Sequence, residues 1–170
     1  GMGFAIERQG NRIFLASFSY EDNGRSTWYA STLEQQPNAH YTADLLKYAG
    51  GQTLGGNYQA PLAPATEGTA DLFFDTATSG RLLIQEAGGL RQRTVLLERF
   101  PISTPTTFMP TMASGENGWW WNPAEGGRGF FVEIQGQQAF TASFMYNEAG
   151  QPVWYASAAP LAQPNSFSSS

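Results

Sequence analysis

Cysteine is absent from this chain of 170 residues, and histidine and lysine occur once each, as His40 and Lys47. A chain without cysteine has no disulfide, no thiolate nucleophile and no cysteine-ligated zinc. A single histidine is too few for a His-rich metal centre. We therefore predict no metal site and no cofactor, and the composition says nothing about the redox compartment.

Positive charge and long apolar runs are also scarce. Nine basic residues stand against 14 acidic ones, the formal net charge is −5, and the basic residues form no run. Nucleic-acid-binding proteins need clustered basic residues to neutralise phosphates, so we expect no nucleic-acid partner. The longest apolar stretches, such as Leu82–Ile84 and Val95–Leu97, are far too short to cross a bilayer, so we expect no membrane span.

Aromatic residues, in contrast, are plentiful. The chain has 12 Phe, 7 Tyr and 5 Trp, and 41% of its residues are apolar. Its length suffices to bury a core without disulfides or a structural metal. These features predict a folded globular protein of one domain or two small ones.

The chain contains an internal repeat. Residues 3–31 match residues 129–157 without a gap at a constant offset of 126, with 15 identities in 29 positions. The segment GWWWNPAEGGR, residues 118–128, precedes the second copy and has no counterpart before the first. The predicted organisation is a first β repeat unit lacking its opening strand (3–100), a Pro/Thr/Ser-rich connector (101–117), a partial second repeat unit (118–157) and a tail (158–170).

Two turns within the repeat indicate how its strands pair. At the first turn only the first central position keeps glycine, as Gly10 and Gly136, which favours a type II′ hairpin. At the second turn only the last glycine persists, as Gly24 and Gly150, which is typical of a type I turn closed by a left-handed glycine. The resulting register pairs Gln9 with Arg12, Glu7 with Phe14, Ala5 with Ala16, Phe18 with Trp28 and Ala16 with Ala30.

Strand alternation then sorts the repeat into two faces, one of which keeps the same residue type at every position in both copies. We call it the retained face and interpret it as the inner face of a curved sheet. The alternative is a surface that meets the other copy. Its members are Glu7, Gln9, Phe14, Ala16, Phe18, Tyr20, Trp28 and Ala30, and in the second copy Glu133, Gln135, Phe140, Ala142, Phe144, Tyr146, Trp154 and Ala156.

The rest of the first unit also has the pattern of strands. No segment shows helical periodicity, and turns containing glycine separate short runs rich in Leu, Phe, Tyr and Val. The fold class is therefore all-β, an antiparallel meander closing into a barrel or sandwich, built from one nearly complete repeat unit plus the opening part of a second. The further predicted strands are Tyr41–Tyr48, Thr69–Asp75, Leu82–Glu86 and Gln92–Phe100.

A first unit without a strand equivalent to residues 118–128 has an unpaired sheet edge, and such edges recruit strands. We expect residues 118–128 and the following hairpins to supply that edge. They would do so within their own chain or in a neighbour by exchange, so a homo-oligomer formed by strand exchange or edge pairing is an open alternative.

Four motifs carry a resemblance to known proteins. They are WWWNPAEGGRGF at 119–130, YNEAGQPVWY at 146–155, KYAGGQTLGGNY at 47–58 and LLERF at 96–100. With them the chain resembles a family of uncharacterised bacterial repeat proteins that are often exported. The resemblance implies no activity or ligand, and it favours a periplasmic or secreted location.

Glu7 and Glu133 are the most informative polar residues, because the register places each carboxylate beside phenylalanines. A buried carboxylate needs a partner or a wet cavity. In a structural interpretation each pairs with an arginine or with backbone amides. In a functional interpretation each is the polar anchor of a ligand pocket walled by aromatic rings. In a third interpretation the two glutamates are the acid and the base of a glycoside hydrolase, which would require their carboxylates to lie close together in the fold.

Two glycine-containing loops have similarly open interpretations. Glu125 and Arg128 in NPAEGGR are expected to form a local ion pair. The pairs Gly50-Gly51 and Gly55-Gly56 flank a loop that either acts as a lid or makes tight turns.

The leading functional hypothesis is a non-catalytic β module that binds a small molecule, a glycan or a protein partner through the aromatic face. The alternative is a structural or assembly protein that associates through sheet edges and has no ligand pocket, and an enzyme ranks third. An open cavity beside Glu7 or Glu133 would favour binding, whereas a closed aromatic core would favour assembly. The candidate ligand-binding residues are Glu7, Phe14, Tyr20, Trp28, Glu133, Phe140, Tyr146 and Trp154.

Overall fold

The computed structural model describes residues 1–38, 40–89, 91–103, 115–163 and 166–167. This part of the chain forms two antiparallel sheets and contains no α-helix. The first sheet has seven strands in sequence order: β1 (Gly3–Gln9), β2 (Arg12–Tyr20), β3 (Ser26–Gln36), β4 (His40–Lys47), β5 (Ala65–Phe74), β6 (Ser79–Glu86) and β7 (Gln92–Glu98). The second has the spatial order β12-β11-β10-β9-β8, formed by β8 (Gly118–Trp120), β9 (Gly129–Gln135), β10 (Gln138–Tyr146), β11 (Pro152–Gln163) and β12 (Ser166–Phe167).

The predicted fold class is confirmed. The first sheet curls into a half-barrel, and the second sheet packs against it. A short 3₁₀ turn, Ala87–Gly89, joins β6 to β7. Nowhere in the described part of the chain is there a helix long and apolar enough to span a bilayer.

The strands β4 to β7 lie close to their predicted positions, and the largest difference is at the start of β5. It begins at Ala65, whereas the sequence predicted Thr69. The pairing of β4 with β5 continues past a register shift between Leu45 and Leu46, so that the earlier residues join the ladder. A sequence pattern with period two does not reveal such a bulge, because the bulge interrupts the alternation.

Both predicted hairpin turns are confirmed. Gly10 and Gly136 have φ of +61° and +60°, and the residue after each has negative φ, as a type II′ turn requires. Gly24 and Gly150 have φ of +82° and +70°, and their N–H groups donate to the carbonyl three residues earlier at 2.8 and 2.9 Å. All five predicted residue pairs occur in the observed register.

The described residues form two apolar cores, one on each face of the first sheet. The core inside the half-barrel is mostly aliphatic, and the core between the two sheets is largely aromatic. The first contains Ile13, Leu15, Leu33, Tyr41, Leu45, Ala70, Leu72 and Leu82, and the second contains Ala5, Ala16, Trp28, Ala30, Phe131, Ala142, Phe144 and Tyr146.

The retained face is therefore the surface at which the two copies meet, and its interpretation as the inner face of the curved sheet is wrong. The half-barrel is filled by the opposite face, which carries Ile13 and Leu15 on β2. The aromatic face is left outside and needs a cover, because large apolar patches are costly in water. The second copy provides that cover with its own retained face.

Two tryptophans make reciprocal hydrogen bonds across this interface. Trp28 Nε1 donates to the Met145 carbonyl at 2.9 Å, and Trp154 Nε1 donates to the Ser19 carbonyl at 3.1 Å. Trp28 and Trp154 occupy equivalent positions of the repeat, as do Ser19 and Met145. Each copy therefore donates to the other in the same way, as the subunits of an isologous dimer do.

The ring contacts repeat this symmetry. Phe18 and Phe144, which are equivalent, lie against each other with ring centroids 4.9 Å apart. Trp28 meets Phe144 edge-on at 6.0 Å, and Trp154 meets Phe18 edge-on at 5.4 Å. An approximate two-fold axis thus passes beside Phe18 and Phe144 and relates the two copies.

Within the chain, residues 118–128 do not complete the edge of the first sheet, so the expectation of edge pairing in the same chain is wrong. β8 pairs with β9, with Trp119 opposite Phe131, and forms an edge of the second sheet. The pairing with β9 is local in the chain, so it closes only a short loop. β8 reaches β1 through a side chain: Glu7 Oε2 accepts the Trp119 N–H at 2.5 Å.

Parts of the predicted connector and tail lie outside the described residues. These are 104–114 of the connector and 164–165 and 168–170 of the tail. β11 continues through residue 163: β10 pairs with it as far as Gln138 opposite Pro160, and β12 pairs with Leu161 and Gln163.

Candidate functional site

A cleft of about 500 Å³ lies between the outer face of the first sheet and the segment formed by β8 and its following loop. It is open to solvent and borders the inter-sheet core, to which its lining residues Trp28 and Ala30 belong. Its lining combines aromatic rings with charged and amide side chains: Glu7, Gln9, Arg12, Phe14, Trp28, Ala30, Thr32, Tyr48, Trp119, Trp121, Gly127 and Arg128.

Aromatic rings in contact with one another form the walls of the cleft. Phe14 lies against Trp119 with ring centroids 4.5 Å apart. Trp28 stacks on Tyr48 at 5.2 Å and 18°. Burial raises the pKa of the Tyr48 hydroxyl above its usual range, so at neutral pH it is an uncharged hydrogen-bonding group.

Glu7 is the carboxylate of the cleft, and the backbone of β8 holds it in place. Its Oε2 accepts the Trp119 N–H, and its Oε1 accepts Gln9 Nε2 at 2.8 Å. At Gly118 the backbone has φ of +131°, and a Cβ there would lie 2.9 Å from the Glu7 carboxyl carbon. Glycine at position 118 therefore allows the Glu7 carboxylate to approach the β8 backbone closely enough to accept the Trp119 N–H.

The two arginines of the cleft each have an acidic partner. Arg12 Nη2 lies 2.9 Å from Glu34 Oε1 in an exposed pair. Arg128 pairs with Glu125, which confirms the predicted local ion pair, and it also donates to the Leu54 carbonyl at 3.0 Å. Because both guanidinium groups are neutralised, the cleft offers no excess positive charge to an anion.

The loop containing Arg128 is held by the glycine-containing loop of the first unit. The Gln52 side chain is buried, and its amide lies within 3.1 Å of the Arg128 guanidinium nitrogens. With its oxygen turned towards them it accepts their N–H groups. A Cβ on Gly127 would lie 2.4 Å from Pro61, so these loops also pack closely through glycine. The segments 47–58 and 119–130 thus bind each other.

The structure brings three of the eight candidate residues into the cleft, namely Glu7, Phe14 and Trp28. Glu133 lies elsewhere and binds Arg99 Nη2 at 2.5 Å and Gln135 Nε2 at 2.7 Å. Both glutamates therefore have partners of the kind expected in the structural interpretation. The remaining candidates, outside the lining of the cleft, are Tyr20, Phe140, Tyr146 and Trp154.

Nine of the twelve lining residues were not among the eight candidates from the sequence. Arg12 and Thr32 could have been predicted, because Arg12 pairs with Gln9 and Thr32 pairs with Phe14, and paired residues share a face of the sheet. Tyr48 and Trp121 lie beyond the paired segments, in loops whose course depends on the tertiary structure. No local signal in the sequence places them beside Glu7.

Tyr146 illustrates why several candidates are unsuited to a ligand site. Its side chain is 1% exposed, and its hydroxyl has no hydrogen-bond partner among the described residues. Burial raises the pKa of this hydroxyl far above its usual range. The residue is part of the closed aromatic core between the copies.

We expect Tyr146→Phe to stabilise the protein at neutral pH by about 1 kcal/mol, because it removes a buried hydroxyl without a partner. The pKa of Tyr146 is raised in the folded state. Above about pH 10 this tyrosine therefore ionises in the unfolded state first, and the free energy of unfolding of the wild type falls; below that pH it does not change. The variant should therefore lose less stability than the wild type between about pH 9 and about pH 11.

Urea unfolding curves across this pH range test the expectation. Tyr155→Phe is the matched control, because Tyr155 is 56% exposed. The assignment is wrong if Tyr146→Phe follows the wild-type loss of stability at alkaline pH.

Within the described residues, no group of three or more His, Cys, Asp or Glu side chains is placed to hold a metal ion. Comparison of the chain with protein-family models, curated proteins and solved structures finds no match.

Proposed function

We propose that this protein is a non-catalytic binding module whose cleft takes a sugar residue of a glycan or a similar small polar ring. The observation that carries the proposal is the open cleft of about 500 Å³, with aromatic walls and a few convergent polar groups. The resemblance to exported repeat proteins adds the proposal of a periplasmic or secreted location.

The charges of the cleft favour a neutral ligand. Arg12 and Arg128 are neutralised by Glu34 and Glu125. Glu7 binds only neutral N–H donors among its described contacts, and its oxygens keep lone pairs for further hydroxyl groups. An anion would meet this carboxylate without a free cation nearby, whereas a polyol would donate to it.

The aromatic side chains favour a ligand with an apolar ring face. Trp121 lines the cleft and is 56% exposed, so its ring is available for contact. The C–H face of a sugar packs on such a ring, while its hydroxyls reach the polar groups beside it. Trp121 and Glu7 are therefore the proposed stacking surface and polar anchor.

A titration of the full chain with a panel of neutral mono- and oligosaccharides, followed by tryptophan fluorescence, tests the proposal. We expect a saturable change with at least one sugar. Glu7→Gln and Trp121→Ala should each weaken binding about tenfold, or about 1.4 kcal/mol. The matched controls are Glu133→Gln and Trp120→Ala, because neither residue lines the cleft, and both should bind within about twofold of the wild type.

A flat titration across the whole panel overturns the proposal. So does binding that Glu7→Gln and Trp121→Ala leave intact while the control variants reduce it, because the ligand would then occupy another surface.

The second candidate is a structural or assembly protein. It is favoured by the reciprocal Trp28 and Trp154 hydrogen bonds, which show how well two such repeats pack on each other. β1 and β7 also lie at the edges of the first sheet, where further strands would pair. Under this alternative light scattering gives a mass that rises with protein concentration, and the sugar titrations give no signal.

A further inference from the structure

The approximate two-fold interface has a part that occurs once in the described structure. The segment Tyr48–Gln52 of the first unit, here called the clasp, crosses to the tyrosine turn of the second unit. Gly50 N donates to the Gly150 carbonyl at 2.7 Å, and the Tyr146 N–H donates to the Gln52 carbonyl at 3.2 Å. The clasp therefore binds the turn through backbone groups of Gly50 and Gln52.

The glycines of the clasp are necessary for this fit. A Cβ on Gly51 would lie 2.1 Å from Tyr146 Cε2, so a larger residue would displace the tyrosine ring. Gly50 has φ of +80°, a conformation that other residues rarely adopt. The segment fits the turn because its glycine backbone can approach the tyrosine ring closely.

No described segment crosses the equivalent turn of the first unit as the clasp crosses the second. Tyr20 is 48% exposed, whereas its counterpart Tyr146 is 1% exposed. No described atom lies within 4 Å of a Cβ built on Gly24, whereas a Cβ on Gly150 would lie 3.1 Å from Gly50 Cα. We call the surface formed by Tyr20 and Gly24 the open half-site.

The open half-site has the same supporting contact as the occupied one. Trp154 meets the Tyr20 ring at 5.5 Å and 70°, and Trp28 meets the Tyr146 ring at 5.6 Å and 56°. The tyrosine is therefore already positioned by the tryptophan of the opposite copy, and a ligand would not have to order it.

We propose that the open half-site binds the clasp of a further repeat of this kind, a Tyr-Ala-Gly-Gly-Gln segment. The two-fold relation between the copies supports this occupant, because the same turn type, tyrosine and tryptophan already bind that segment at the other half-site. The surface joins the inter-repeat interface directly and lies outside the cleft lining, so the proposal is independent of the sugar site.

The test uses a fluorescein-labelled peptide with the sequence of residues 46–55, LKYAGGQTLG, titrated with the full chain and followed by fluorescence anisotropy. We expect saturable binding that Tyr20→Ala weakens at least tenfold. Tyr155→Ala is the matched control and should bind within twofold of the wild type. A second peptide, with alanine in place of Gly51, should bind at least tenfold more weakly than the first.

Folding is checked with Tyr20→Phe, which keeps the ring and should retain wild-type affinity. The absence of saturable binding overturns the proposal. Equal binding by Tyr20→Ala and the wild type also overturns it, because the peptide would then be displacing the chain's own clasp from Tyr146. Equal binding of the two peptides excludes recognition through the glycine pair and overturns it as well.

Discussion

Gly51→Ala is expected to lower the free energy of unfolding by about 3 kcal/mol, the upper part of the range for overpacking a core. The added methyl group would lie 2.1 Å from Cε2 and 2.5 Å from Cδ2 of Tyr146. That ring is buried between Trp28 and the clasp and has little room to move. Relief of the clash would require the clasp to lift away, with loss of its backbone hydrogen bonds to Tyr146 and Gly150.

The matched control is Gly55→Ala in the same loop. No described atom lies within 4 Å of a Cβ on Gly55, and its φ is not in the left-handed region. The change should leave stability within about 1 kcal/mol of the wild type, with a small gain expected from the stiffer unfolded chain. Urea unfolding of both variants, followed by tryptophan fluorescence, gives the comparison, and equal stability of the two would contradict the role assigned to Gly51.

Phe144→Ala is expected to lower the free energy of unfolding by about 4 kcal/mol, because it empties the centre of the inter-sheet core. Phe144 is completely buried and contacts Phe18, Trp28 and Trp119. Phe100→Ala is the control: that side chain is 71% exposed, so the change should cost about 0.5 kcal/mol or less.

A double-variant cycle tests whether Phe18 and Phe144 act together at the two-fold axis. The rings lie 4.9 Å apart, and each fills space against the other. The combined loss in Phe18→Ala/Phe144→Ala should therefore fall short of the sum of the single losses by at least about 0.5 kcal/mol. Additive losses would show that the rings belong to independent clusters and would contradict the proposed axis.

The contrast between the half-sites explains why equivalent residues of a repeat differ in environment. Tyr20 and Tyr146 have the same sequence position in their copies and similar contacts with a tryptophan. The clasp covers Tyr146 and not Tyr20, so Tyr146 is buried and its pKa is raised, whereas the Tyr20 side chain is half exposed. Sequence identity between repeat copies therefore predicts shared geometry and does not predict shared exposure.

Whether the retained face points into the half-barrel or away from it depended on the curvature of the whole sheet. The alternation in β2 separates Phe14 and Ala16 from Ile13 and Leu15, and this separation was readable in the sequence. Which side faces inward depends on how seven strands curl and on what lies within reach of each face. The Ile and Leu side fills the half-barrel, and the aromatic side meets a sheet that begins more than a hundred residues later.

The sequence by itself determined the strands, the turn types, the pairing of neighbouring strands and the identity of the two faces. These properties are local, since they depend on side-chain alternation and on glycines with positive φ within a few residues of one another. Only the tertiary structure decided that the retained faces pack on each other, that β8 pairs with β9, and that the cleft opens beside Glu7. The physical reason is that these contacts join segments far apart in the chain, and burial of two complementary apolar faces selects them from many locally equivalent pairings.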